Sequence, residues 1–215
     1  MMLSSDDFSP SLLQTKAQSA RGMVVVLNGF PGAGKLTILQ QAKALLPPDK
    51  TRLLDNHLII DPVQALFPDR SDEHHRLRRC IRKPVFDQVR ELAQKGYIIL
   101  MTACLAEDED GVLHEHLDIV RGTDVPLLWI NAQCDLPELE RRVGSPERHQ
   151  GSKTKLTDLD VLKKLVSENR LIEPHEGGDG SIKLVVETID ISGSVEESVT
   201  LVMKLIVTSG GVEII

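Results

Sequence analysis

The sequence predicts an α/β domain whose parallel sheet is covered by helices on both faces. Three observations carry this expectation. Five short apolar runs, Val24 to Leu27, Thr51 to Leu54, Tyr97 to Met101, Val125 to Ile130 and Ile182 to Val186, alternate with segments of helical periodicity. Strands apolar on both faces are what a parallel sheet buried between helices requires. The first run passes through a glycine-rich turn directly into a helix, and the 215 residues suffice for one substantial domain rather than two.

In chain order, residues 1–21 are expected to form a tail, residues 22–207 the domain and residues 208–215 a second tail. Leu36 to Leu46 form the first helix, stopped by Pro47-Pro48-Asp49 before the second strand. Asn56 to Asp69 hold Pro62 and Pro68 and suit a short helical excursion or a ligand-facing loop. From Ser71, the residues Leu77, Ile81, Val85, Val89 and Leu92 recur mostly every fourth position and predict one buried stripe, with Pro84 placed to bend or divide the helix. Gly96 ends it, and the third strand runs from Tyr97 toward Cys104. A short helix is expected over Val112 to Val120. Asp135 is placed to cap a helix over Leu136 to Val143. Residues 144–155, GSPERHQGSKTK, contain no apolar anchor and predict a mobile lid. Thr157 with Asp160, and Ser194 with Glu197, have capping-box spacing before the last two helices.

Composition narrows the partners. The 41% hydrophobic and 27% charged content is that of an ordinary globular chain, and a formal charge of −7 argues against extended nucleic-acid binding. Cys80, Cys104 and Cys134 are odd in number and widely spaced, which suits small apolar packing in a reducing compartment. No signal-peptide pattern and no apolar run of membrane-spanning length occurs, so a cytoplasmic location is expected by elimination.

The chemistry centres on Gly29-Phe30-Pro31-Gly32-Ala33-Gly34-Lys35-Leu36-Thr37. A strand, a G-x-x-x-x-G-K turn and a helix together aim backbone N–H groups and a helix N-terminus at a phosphate. Lys35 is expected to reach the outer phosphates. The hydroxyl that commonly follows the lysine is displaced by one position to Thr37, so contact with Mg²⁺ through water is expected there. Asp55, Thr102 to Cys104 and Asn131 end strands that should emerge on the same rim as Gly29. Asp55 can take a proton from a substrate hydroxyl or orient water around Mg²⁺. Thr102 is placed for metal-bound water, and His57 and Asp61 for ligand contact.

Arginines supply the remaining candidates. Arg76, Arg78, Arg79, Arg82 and Lys83 make a basic patch on the long helix, with Arg82 chosen to meet an anionic acceptor. Arg142 and Arg148 flank or enter the lid, with Arg141, Lys153 and Lys155 nearby. Mobile arginines can close over phosphates, exclude water and compensate charge during transfer. His114-Glu115-His116 lacks the spacing of a helical metal motif, and the acidic run 107–110 reads as a surface loop.

Over roughly Gly22 to Ile206, the G-x-P-G-x-G-K-x-T loop, the aspartate after the second strand and the lid arginines resemble adenylate kinases and related P-loop small-molecule kinases. The shikimate, gluconate and chloramphenicol phosphotransferase-like types are included in that resemblance. It implies a P-loop NTPase fold with strand order 2-3-1-4-5, ATP as donor with Mg²⁺, Lys35 and the loop on the phosphates, and Asp55, Arg142 and Arg148 in the site. The expected activity is ATP-dependent phosphorylation of a small molecule. A nucleotide-dependent switch and a polynucleotide-end kinase are the alternatives.

Overall fold

The structure, a computed structural model, describes residues 22–106, 111–149, 155–175 and 180–210. The predicted tail 1–21, the acidic run 107–110, the lid residues 150–154 with Lys153, part of the turn before the fifth strand, and the terminal 211–215 lie outside them.

The strands are β1 (Met23–Asn28), β2 (Thr51–Leu54), β3 (Ile98–Ala103), β4 (Pro126–Gln133) and β5 (Lys183–Asp190). The helices are α1 (Lys35–Ala44), α2 (His57–Leu66), α3 (Asp72–Gln94), α4 (Val112–Asp118), α5 (Leu136–Val143), α6 (Leu159–Glu168) and α7 (Val195–Thr208). A 3₁₀ turn spans Pro146–His149. All strand pairings are parallel and the order is β2-β3-β1-β4-β5, as expected. Strands β1 and β3 are buried at every position, which explains their unbroken apolar runs.

Alternation along β1 divides the interior in two. Val25 and Leu27 pack with Ile38 and Leu39 of α1 and Val202, Met203 and Ile206 of α7. Val24 and Val26 pack with Phe86 and Val89 of α3, Leu117 of α4 and Trp129 of β4. Each fully buried side chain of this size contributes about 1.5–3 kcal/mol, so both faces of β1 anchor the layers that carry the site.

Several local expectations are corrected. Helix α3 runs unbroken through Pro84; its buried residues are His74, Arg82, Phe86, Val89 and Ala93, so of the predicted stripe Val89 is buried while Ile81, Val85 and Leu92 pack half-buried against the same core. Val85 and Leu92 flank that face and line an apolar groove of about 420 Å³ against Leu54 and Ile99. Arg82 and His74 share the buried face because each has a polar partner there, Glu115 and the Phe67 carbonyl. Gly96, at φ 85, closes the helix end in the left-handed conformation. Asp135 stands at the start of α5 but makes no side-chain cap, and α6 is capped by Asp158, which accepts from Asp160 and Val161 N–H, rather than by Thr157. The Ser194–Glu197 capping box of α7 is present in full.

Strand β5 continues past Val186 to Asp190. Ile189 alone of this outer strand is buried while Glu187, Thr188 and Asp190 are exposed, so polar residues do not end it. Cys80 and Cys104 are exposed, Cys134 is half-buried, and all three are free, so only Cys134 approaches the expected packing role. Among the described residues no helix is long and apolar enough to cross a membrane.

Candidate active site

The phosphate loop, residues 29–35, joins β1 to α1. Gly29 N–H donates to Ala103 O at 3.2 Å, tying the loop to the end of β3, and Ala33 N–H donates to Phe30 O at 3.3 Å, closing the turn. Gly32 and Gly34 have φ of 90 and 77, which residues with a side chain rarely adopt. A Cβ on Gly32 would stand 2.7 Å from Val143 Cγ2, so glycine also lets α5 approach the loop. Phe30 packs against the core beside buried Ala33, and Pro31 is half-buried. Leu36 is half-buried one residue into α1, while Thr37 is exposed. The displaced hydroxyl is therefore on the solvent side of the first helical turn.

Lys35 folds back over the loop. Its ammonium donates to Gly29 O at 2.6 Å and to Phe30 O at 2.9 Å. Burial holds its pKa below the ordinary lysine value; neighbouring Cys104 offsets this in part, Arg148 adds to it, and Asp55 opposes it. The four side chains thus share one electrostatic neighbourhood at the mouth of the loop.

Asp55, only 6% exposed, follows β2. Its Oδ1 accepts from the Thr102 hydroxyl at 2.9 Å and from His57 N–H at 3.4 Å, while Thr102 accepts from Asn56 N–H at 2.9 Å. Thr102 is thus spent orienting Asp55. The His57 ring meets Asp61 across one turn of α2, with Nδ1 to Oδ1 at 3.1 Å.

Asn131 does not open onto the rim as expected. It is 2% exposed, and its register partner Asn28 is fully buried. Asn28 Nδ2 donates to Asn131 Oδ1 at 3.0 Å and to Leu105 O at 2.9 Å, and its Oδ1 accepts from Leu105 N–H at 2.7 Å. Trp129 Nε1 donates to Asn131 at 3.0 Å, and Asn131 Nδ2 donates to Ile172 O at 3.1 Å. This network stitches the segment after β3 and the one before β5 to the strand ends beneath the site. Sequence reasoning passed over Asn28; two polar residues ending adjacent apolar strands were the available signal.

The arginines separate into three groups. Arg148 is half-buried, donates Nε to Leu156 O at 2.7 Å, and is held below its usual pKa by burial. Among the described residues neither it nor Lys35 forms a salt bridge. Arg142 is instead bracketed: Nε donates to Glu138 at 2.7 Å, Nη1 to Ala33 O at 3.4 Å, and Nη2 to Ile191 O at 3.2 Å and Gly193 O at 3.3 Å. Arg141 donates twice to Glu138 on the surface. Those bonds, Arg141 foremost, hold the Glu138 carboxyl at about 2.

The third group sits on α3. Arg82 is 3% exposed and donates Nε to Glu115, and Arg79 Nε stands 3.4 Å from the same carboxylate. Arg82, expected to meet an anionic acceptor, is held in this internal pairing, which could not be read from residues 33 positions apart. His116, beside it, donates Nδ1–H to Val112 O at 2.8 Å and packs edge-on against Phe86 and Trp129. Lys155 is half-buried and has no salt bridge among the described residues.

Among the described residues Thr37 and Asp55 carry hard oxygen donors of the kind that fit Mg²⁺, which favours oxygen and retains several waters. Among the described residues no three His, Cys, Asp or Glu side chains cluster as a metal site.

A glycine-rich loop before a helix, at the centre of a sheet ordered 2-3-1-4-5, gives the chain the fold of the P-loop small-molecule kinases. Solved structures bear this out. A gluconokinase from Sinorhizobium meliloti is similar with a TM-score of 0.56 and 12% identity, over 89% of this chain and 94% of that one. A thymidylate kinase from Candida albicans matches at 0.54 and 17%, over 91% and 96%. The Mycobacterium tuberculosis APS kinase, in complex with AMPPNP and APS, matches at 0.52 and 16%, over 86% and 98%. No family model and no curated protein sequence matches the chain.

Proposed function

We propose that the protein transfers the γ-phosphoryl group of ATP to a hydroxyl of a small molecule. One observation carries this reading: the cations Lys35 and Arg148, which form no salt bridge among the described residues, share a neighbourhood with the oriented carboxylate of Asp55. The cations suit a charged phosphoryl group and the carboxylate suits the group that attacks it. The small-molecule kinases among the structural neighbours support the same class.

In this reading the N–H groups of Gly32, Gly34 and Lys35 hold the β-phosphate, and Lys35 exchanges its two carbonyl contacts for phosphate oxygens. Asp55 orients the acceptor and receives its proton as the new O–P bond forms and the bond to the ADP leaving oxygen breaks. Lys35 and Arg148 compensate the charge on the equatorial oxygens. Mg²⁺, held through water by Thr37 and Asp55, would neutralise phosphate charge. Arg142, fastened between Ala33 and the segment after β5, keeps two walls of the nucleotide site in register.

The test is incubation with γ-labelled ATP and a metabolite extract, with mass detection of labelled products and a Lys35→Ala control. A labelled ester made only by the intact protein is expected. ATP binding without any labelled ester would favour a nucleotide-dependent switch.

A further inference from the structure

Strand β2 is an edge of the sheet and pairs with β3 alone among the described strands. On the α3 side of that edge lies the apolar groove of about 420 Å³, whose walls include Leu54, Pro84, Val85, Gln88, Leu92 and Ile99. Leu54, Val85 and Leu92 are half-buried, and Pro84 is exposed. Among the described residues no segment covers this groove.

The chain enters the fold beside it. Gly22 is buried against the end of α3, where a Cβ would stand 1.8 Å from Ala93 O, and Met23 N–H donates to Tyr97 O at 3.1 Å. The 21 residues before Gly22 are therefore tethered at Ala93, the neighbour in α3 of the groove residue Leu92.

The sequence of those residues suits the groove. Ser9-Pro10 is a helix start signal, and Leu13, Ala17 and Ala20 recur at the i, i+4, i+7 spacing of one apolar helix face, with Leu12 beside it. Leu13 to Ala20 covers the same number of positions as Val85 to Leu92, and each stretch is about 10 Å of helix. Ala20 lies two residues before Gly22, a reach of up to about 7 Å, so the alanine end of the stripe falls toward Leu92 and the leucine end toward Val85 and Pro84.

From this match we propose that residues 9–21 of this chain dock in the groove between β2 and α3 as an amphipathic helix, with Leu12 and Leu13 against Val85 and Leu54. The groove takes the apolar face of the helix at its spaced anchors. Tethering favours this occupant, because a short linker holds a segment at about millimolar effective concentration without a second molecule. Docking buries apolar surface at the sheet edge and braces Leu54, the residue before Asp55.

Methyl NMR on the full chain is the test. Nuclear Overhauser contacts from the Leu12 and Leu13 methyls to those of Val85 and Leu54 are expected. In an equal mixture of leucine-labelled and valine-labelled chains the contact to Val85 should vanish; its persistence assigns the groove to a second copy and overturns the proposal. Leu12→Asp combined with Leu13→Asp, both outside the described core, should abolish the contacts and speed tryptic cleavage after Lys16 by about tenfold or more, since cleavage follows the undocked population. Absence of the contacts in the unaltered chain, contacts to another surface instead, or equal cleavage of the two proteins overturns the proposal.

Discussion

The hydroxyl of Thr102 donates to Oδ1 of Asp55 at 2.9 Å, across the ends of two neighbouring strands. A hydrogen bond to a charged group is worth about 1.5–3 kcal/mol, so this contact can decide where the carboxylate points. Thr102→Val is therefore expected to lower the transfer rate by about 10- to 100-fold while leaving ATP affinity unchanged. Asp55→Asn should cost more, about 10²- to 10⁴-fold in transfer, again with ATP binding retained. Equal losses of binding and transfer on Asp55→Asn would assign Asp55 to metal support instead. Single-turnover kinetics and equilibrium nucleotide binding separate the two.

Among the described residues the Lys35 ammonium hydrogen-bonds only to backbone carbonyls. Its removal takes away a buried positive charge and should leave the fold intact. Lys35→Ala is expected to reduce transfer by about 10²-fold or more, with an unchanged melting temperature. A large drop in melting temperature would mark the lysine as structural.

Arg142 and Arg148 should fail differently. Arg142 joins Ala33 to Ile191 and Gly193, so Arg142→Ala should raise the KM for ATP by about tenfold and lower kcat little. Arg148 shares the neighbourhood of Lys35, so Arg148→Ala should lower kcat by about 10²-fold or more. Steady-state kinetics on both variants gives the comparison.

Gly32 has a positive φ and no room for a Cβ beside Val143. Gly32→Ala should destabilise the protein by about 1–3 kcal/mol and weaken ATP binding, as measured by denaturant unfolding and titration.

Burial, opposed by the bond to Val112 and reinforced by Arg82, depresses the His116 pKa from 6.5 to about 4. A group with a depressed folded-state pKa binds its proton more readily when unfolded, so stability rises with pH across this interval. The contribution is full above about pH 6.5 and is lost as pH falls toward 4, amounting to about 3 kcal/mol. Unfolding curves between pH 7 and 4 should therefore show a steeper loss in the wild type than in His116→Phe.

The parallel sheet was legible because β1, β3 and β4 are apolar on both faces, and local periodicity reports that directly; its order followed only from the resemblance carried by the phosphate loop. The phosphate loop was legible because it is contiguous. What local pattern could not show were pairings between distant segments: Arg82 with Glu115, Asn28 with Asn131, and Arg142 with the carbonyls after β5. The first places Arg82, the expected acceptor arginine, on the buried face of α3. The third fastens Arg142, expected at the edge of the lid, between Ala33 and the segment after β5. An isolated charged residue carries no mark of whether its partner is a ligand or a side chain folded against it.

The central claim is that the γ-phosphoryl group reaches an organic hydroxyl rather than water. Phosphorus NMR of ATP and Mg²⁺ turned over with a metabolite extract reads this directly. A new phosphate-ester resonance that grows with ADP, exceeds inorganic phosphate by about tenfold or more and vanishes in Lys35→Ala is the expected result. ADP accompanied only by inorganic phosphate, or the same ester made by Lys35→Ala, would contradict the account.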